Sequence, residues 1–223
     1  MFMKKYLLSI LALGATMMMA CEPANNGGNG DGPAPVVADY SITTSDAWGG
    51  FLDYYGDDYE CGLADIALEI DALSFNEDGT PKSAKILVMQ LFGELDNKTG
   101  LGTYTPDTQW AMTGKFTANT YLAGVEFEGM VVGSGYMEMD MSTEEVTVME
   151  CLVDGDLTIA MEGENYVVKG ILKTASGKIF KVDYTGALEF GDYSQASSLK
   201  SLSVKKNFDV SKHFSTAAKL LKK

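Results

Sequence analysis

The sequence predicts an all-β domain over residues 39–193, and three features of that stretch support the prediction. Clusters of Gly, Asn, Asp and Ser recur along it and separate segments that have the length of β-strands. Within several segments apolar and polar residues alternate, as in strands with one buried face. Before residue 207 no apolar stripe has helical spacing. We therefore expect about ten antiparallel strands in one barrel-like or two-sheet sandwich domain.

The strand segments differ in their pattern. Residues 66–71, 157–162 and 180–190 are apolar at nearly every second position, which predicts one face in the core and one in water. Residues 86–92 are apolar at nearly every position, which predicts a strand covered on both faces. Among the turn-forming clusters is Asp154-Gly155-Asp156, which predicts a turn before the strand that follows it.

The first residues predict an export signal that ends at a lipidated cysteine. Lys4 and Lys5 form a basic start, and residues 6–16 form an apolar run too short to span a bilayer comfortably. A small residue then precedes Cys21, the predicted lipidation site, so residues 1–20 are expected to be removed. Acyl chains on Cys21 would tether the protein to a membrane, because each buried methylene contributes about 0.8 kcal/mol. An ordinary secretory signal is the alternative, because Met18-Met19 departs from the usual lipidation motif.

Two segments flank the predicted domain. Residues 21–38 are rich in Gly, Asn and Pro, which predicts a flexible linker between lipid and domain. Residues 194–223 form a basic tail with seven lysines and one acid. Its apolar residues predict a short amphipathic helix, docked on the acidic domain or on anionic lipid; the alternative is a frayed tail. The residues with helical spacing are Val210, Phe214, Ala217, Ala218 and Leu221.

Composition excludes several classes of function. The formal net charge is −14 and the sequence contains no arginine, so a nucleic-acid partner is not expected. The one histidine, His213, lies in the tail, so the sequence offers no Ser-His or Cys-His pair for nucleophilic catalysis. There is no phosphate-binding glycine loop and no Cys or His set with metal-ligand spacing. We therefore expect neither an enzyme nor a cofactor.

Four aromatic residues are the candidate ligand-binding residues: Trp48, Tyr54, Tyr55 and Trp110. Exposed rings of this kind stack on sugars, while neighbouring acids and amides bind hydroxyl groups. The alternative is that these rings form a secondary core at the strand ends.

Three other groups of residues have a structural and a chemical interpretation. The alternating methionines Met137, Met139 and Met141 are typical of core packing, although thioethers also bind Cu(I). The acid clusters 57–60 and 154–156 are interpreted as solvated faces, with Ca²⁺ binding as the alternative. Cys61 and Cys151 are predicted to be buried thiols, with a disulfide as the alternative.

A resemblance to a known family comes from residues 155–188. Strands there alternate with turns at Gly163-Glu164-Asn165 and Ser176-Gly177-Lys178, and Leu101-Gly102-Thr103 precedes another strand. Together with the signal and linker, this pattern resembles the β-rich lipoproteins of the Bacteroidetes, some of which are calycin-like barrels. The resemblance implies a lipid-anchored protein of the outer membrane, on its periplasmic or cell-surface face. It implies no functional residue.

The function expected from these features is a non-catalytic binding module at the cell envelope, whose ligand would be a glycan. One alternative is a calycin-like carrier that holds a small apolar ligand inside a barrel. A further alternative is a carbohydrate-active enzyme, which would need two carboxyl groups in one cleft.

Overall fold

The computed structural model describes residues 36–194. The predictions for residues 1–20, for Cys21, for the linker up to residue 35 and for the tail after Ser194 lie outside the described residues. Within the described range the all-β prediction is confirmed, with thirteen strands and one short helix. The elements are β1 (Tyr40–Thr43), β2 (Ala47–Gly56), β3 (Leu63–Phe75), β4 (Pro81–Glu94), β5 (Gly102–Asp107), α1 (Trp110–Thr113), β6 (Thr120–Leu122), β7 (Val125–Phe127), β8 (Met130–Val132), β9 (Gly135–Asp140), β10 (Glu145–Glu162), β11 (Asn165–Thr174), β12 (Ile179–Gly186) and β13 (Glu189–Asp192).

The main sheet closes into a barrel. Strands β2, β3 and β4 pair antiparallel in order, β9 joins β4 to β10, and β10, β11 and β12 pair antiparallel in turn. Two parallel pairs close the ring. Strand β1 pairs with β12, where Tyr40 lies opposite Phe180, and β2 pairs with β13, where Phe51 lies opposite Glu189. Of the two architectures predicted, the structure therefore has the barrel-like one.

The long strands β4 and β10 diverge along their length. Their first halves are joined by β9, and their second halves by the pair β5 and β6, which run parallel to each other. Most pairings are antiparallel as predicted. The parallel pairs are confined to this insertion and to the closure of the ring. A separate two-stranded sheet is formed by β7 and β8.

Large side chains fill the interior of the barrel. Tyr104, Tyr121, Tyr136 and Phe180 have no solvent-accessible surface, so no void of water size adjoins them. The Tyr104 hydroxyl donates to the carbonyl of Gly100 at 2.9 Å, and the Tyr121 hydroxyl donates to that of Gly155 at 3.0 Å. These bonds satisfy the polar ends of rings whose apolar bodies each contribute roughly 1.5–3 kcal/mol on burial.

A second apolar cluster lies outside the barrel, on the outer faces of β4 and β9. Ile86 and Val88 pack there with Val131 of β8 and with Cys151. This arrangement confirms that the 86–92 strand is covered on both faces. Met137 and Met139 are buried in the same cluster and Met141 packs beside it, as the core-packing interpretation predicts.

Three expectations about local structure are wrong. Asp154-Gly155-Asp156 lies inside β10, where the pairing with β11 shifts register, and not in a turn. Ala67, Glu69 and Asp71, expected to face water, are buried, because the outer face of β3 is covered.

The third wrong expectation concerns the cysteines. Both are free, and Cys151 is buried as predicted, but Cys61 is exposed. The loop between β2 and β3 carries Cys61, and the Asp57 carboxylate holds this loop by accepting bonds from the N–H groups of Cys61 and Gly62 at 2.7 and 3.0 Å. Asp57 therefore acts as a loop cap, as Asp and Asn side chains commonly do in turns.

Candidate functional site

A group of tyrosines and polar side chains lies on the outer wall of the barrel, near the end where β2 stops and β3 begins. Leu52, Tyr54, Ile66 and Leu91 point into the core, so their sequence neighbours on β2, β3 and β4 point outward. We call this group the tyrosine–carboxylate cluster; it consists of Asp53, Tyr55, Tyr59, Asp65, Gln90 and Tyr193.

Hydrogen bonds connect the deeper part of the cluster. The Gln90 side-chain amide donates to the Tyr59 hydroxyl oxygen at 3.0 Å and to Asp65 Oδ1 at 3.3 Å. Strand register creates this arrangement, because Gln90 lies opposite Ala67, two residues along β3 from Asp65. A single amide therefore fixes one carboxyl group and one phenol relative to each other.

The outer part of the cluster is a pair of stacked rings. Tyr55 and Tyr193 have ring centroids 5.5 Å apart and planes inclined by 22°. The Tyr55 hydroxyl donates to Asp53 Oδ2 at 3.4 Å. Tyr193 is 47% exposed, so part of the stack is open to solvent. The pair presents aromatic surface beside a carboxylate.

Tyr59 is held from behind by two phenylalanines. Its ring centroid lies 4.7 Å from that of Phe116 and 5.5 Å from that of Phe92, and these two rings stack on each other at 4.4 Å. Tyr59 is nevertheless 36% exposed, so one part of it faces solvent. The phenylalanine stack therefore fixes a tyrosine whose remaining surface is accessible to a ligand.

Burial controls the protonation of the cluster. The pKa of Asp65 is raised to about 7, mainly by burial; the hydrogen bond from Gln90 opposes this rise and the charge of Asp58 adds to it. Burial, followed by the charge of Asp65, raises the pKa of Tyr59 to about 12. The pKa of Tyr55 is raised by burial and then by Asp53 and Asp65. At neutral pH both phenols therefore keep their protons, whereas Asp65 is protonated in part of the molecules.

The structure distributes the four predicted ligand-binding residues over different places. Tyr55 belongs to the cluster, but Tyr54 points into the barrel and donates to the carbonyl of Leu95 at 2.6 Å. Trp48 is 55% exposed and lies in the β-bulge near the other end of β2. Trp110 starts α1, and its Nε1 donates to the carbonyl of Ala123 at 2.8 Å.

Only Tyr55 of the six cluster members was among the predicted ligand-binding residues; the other five are Asp53, Tyr59, Asp65, Gln90 and Tyr193. Gln90 is the one polar residue in the apolar segment 86–92, and this signal in the sequence could have identified it. Asp65 stands at a polar position of an alternating strand and gives no such signal. Nothing in the sequence pattern indicates that Tyr193 meets Tyr55, because β13 reaches β2 only when the barrel closes.

Two negative findings apply to residues 36–194. No group of three or more His, Cys, Asp or Glu side chains in that range is placed to hold a metal ion. No helix there has the length and hydropathy needed to cross a membrane. The acid at 154 instead pairs with a lysine, with Asp154 Oδ2 lying 3.0 Å from Lys173 Nζ.

These features define the class of protein as a closed β-barrel with a polar and aromatic surface on its outer wall. Comparisons with protein-family models, with curated proteins and with solved structures find no match to this chain.

Proposed function

We propose that this protein is a lipid-anchored binding protein of the cell envelope, similar to the β-rich lipoproteins of the Bacteroidetes, and that its tyrosine–carboxylate cluster binds a glycan without cleaving it. The observation that carries the binding proposal is the exposed ring pair of Tyr55 and Tyr193 beside the linked groups of Tyr59, Gln90 and Asp65. The anchor rests on the export signal and Cys21.

The chemistry of the cluster suits a sugar ring. Sugars present C–H faces that pack on aromatic rings, and hydroxyl groups that both donate and accept hydrogen bonds. The cluster offers ring surface from the two stacked tyrosines, the phenol of Tyr59 and the carboxyl group of Asp53, whereas Asp65 is buried. Exposed rings beside polar groups suit a sugar better than they suit a compact apolar molecule.

The packed interior gives less support to the carrier alternative, because the tyrosines and phenylalanine along the barrel leave no adjoining void of water size. A carbohydrate-active enzyme would need two carboxyl groups flanking the scissile bond at a separation of roughly 5–10 Å. Asp65 has a pKa of about 7, which suits general acid catalysis, but it is only 6% exposed, which argues against contact with a glycan. Hydrolysis is nevertheless measured alongside binding.

Replacing Tyr59 with Ala should weaken glycan binding by roughly tenfold or more, since stacking area and a hydroxyl group are both lost. A glycan array identifies the ligand, and calorimetry with that glycan measures the affinity. Tyr59→Phe keeps the ring against Phe92 and Phe116 and should show a smaller loss.

The matched control is Phe127→Ala, which removes another exposed ring, on β7, and should leave the affinity unchanged. Equal loss in Tyr59→Ala and Phe127→Ala would place the ligand elsewhere. Release of shortened glycans by the unaltered protein would replace binding with catalysis as the function.

Cys21→Ala should release the protein from the membrane fraction and abolish its labelling by a palmitate analogue, because the acylated thiol is then absent. Cys61→Ala removes another cysteine and should leave the labelling and the membrane fraction unchanged. Labelling that persists in Cys21→Ala would show that the anchor lies elsewhere.

A further inference from the structure

The outer face of β3 is buried. The two strands that pair with β3 lie at its edges and do not cover this face. Ile66, Leu68 and Ile70 point into the barrel, so the residues between them point outward. The ladders to β2 and β4 run along the two edges of β3 and leave this face uncovered. Three outward side chains are nevertheless almost inaccessible to water: Ala67 is 6% exposed, Glu69 8% and Asp71 3%.

Two details show that this face is not part of the described cores. Ala67 belongs to neither of the two apolar clusters that the described residues form. Asp71 Oδ1 is buried without a hydrogen-bond partner among those residues. Burial and the adjacent Glu69 carboxyl raise the pKa of Asp71 above its ordinary value. A buried acid with an unpartnered oxygen indicates that another segment covers this face.

We propose that the basic C-terminal segment, residues 195–223, docks on the outer face of β3. The described chain ends at Ser194, which lies beside Gly56 at the end of β2. The N–H of Tyr193 donates to the carbonyl of Tyr54 at 2.8 Å, which fixes this exit next to β2 and β3. The segment therefore starts within reach of the buried face.

Charge and apolar pattern match the segment to this face. The face carries the acids Asp65, Glu69 and Asp71 around Ala67, and the segment carries seven lysines and the single acid Asp209. Ala67 and the flanking strands need apolar cover, which Val210, Phe214 and Leu221 supply at helical spacing. Lysines on the borders of that stripe then lie near the carboxyl oxygens, including the unpartnered Oδ1 of Asp71.

The lengths also agree. A helix over residues 209–223 would be about 22 Å long at 1.5 Å per residue. The outward row from Asp65 to Asp71 spans about 20 Å at 3.3 Å per residue. The intervening residues 195–208 are long enough to reach either end of the row.

Thiol labelling of the full exported chain tests the proposal. Ala67→Cys places a small probe on the face, while the native Cys61 serves as the exposed reference and Cys151 as the buried one. After brief exposure to a maleimide, digestion at acidic residues separates Cys61 from the introduced thiol, and mass spectrometry measures each label. With the segment docked, we expect the introduced thiol to react about tenfold or more slowly than Cys61.

The same labelling in a Phe214→Glu background should bring the thiol at position 67 close to the rate of Cys61, because a charge on the apolar stripe undocks the segment. Thr216→Glu is the matched control, since it adds the same charge on the opposite side of a helix and should leave position 67 protected. Cys151 should stay unreactive throughout, which shows that β10 and the apolar cluster around Cys151 remain folded.

Two results would overturn the proposal. Fast labelling at position 67 when residues 195–223 are unaltered would show that the face is open. Protection of position 67 that survives Phe214→Glu would assign the cover to residues before 36 or to a second copy of the chain.

Discussion

Gly155→Ala should destabilise the barrel by about 3 kcal/mol or more, because position 155 combines backbone strain with a backbone clash. Gly155 has φ of 93°, a conformation that L side chains rarely adopt. A Cβ atom there would lie 2.2 Å from the carbonyl oxygen of Ile171 and 2.9 Å from Leu172 Cα. Relief would require β10 to separate from β11. Urea denaturation with far-UV circular dichroism measures the free energy of unfolding.

Gly163→Ala is the matched control for this substitution. Gly163 also has a positive φ, 62°, but a Cβ atom there would meet no other atom within 4 Å. The expected cost is only about 1 kcal/mol, which reflects the backbone conformation alone. Equal losses for the two substitutions would contradict the close approach of β10 and β11 at Gly155.

Asp65→Asn should make the protein more stable at pH 8 and leave its stability almost unchanged at pH 4. The folded pKa of Asp65 is about 7, against an ordinary value of 3.8. Between these values the native state keeps a proton that the unfolded chain has released, so the wild type loses stability as the pH rises. The slope contributed by this one carboxyl is at most about 1.4 kcal/mol per pH unit. Asparagine has no proton to lose, so this part of the dependence disappears.

The measurement is urea denaturation at several pH values from 4 to 8, and the quantity of interest is the difference between variant and wild type. Asp71 and other groups titrate in both proteins, so their contributions cancel in that difference. Asp96→Asn makes the same chemical change at an exposed turn and should follow the wild type at every pH. A difference that does not vary with pH would show that Asp65 is ionised in the folded protein.

Much of the local structure could be predicted because strand signals are local. Alternation and turn residues were enough to predict the class of fold and the doubly covered segment 86–92. The structure has more strands than the predicted number of about ten. One reason is that the chain at each side of the closure forms two consecutive strands, β1 and β2 on one side and β12 and β13 on the other. A cluster of Asp and Gly failed as a turn signal at residues 154–156, where Gly155 instead allows β10 to approach β11 closely.

The candidate site was predictable only in part. Tyr55 and its neighbouring aromatic residues were evident in the sequence, and Tyr55 does belong to the cluster. Asp65 and Gln90 come together because β3 and β4 pair in one particular register, and Tyr193 arrives through the parallel pairing of β13 with β2. A change of register by one residue would turn either polar side chain to the other face of the sheet.

By itself, the sequence determined that the domain is built from strands, where several of them lie, and that 86–92 is buried on both sides. The tertiary structure decided that the sheet closes, through pairs such as Tyr40 with Phe180, and that the acids on the outer face of β3 are buried. The reason is that the alternation of side chains along a strand depends only on the conformation of a few adjacent residues. Burial of those side chains depends on which distant parts of the chain pack against them.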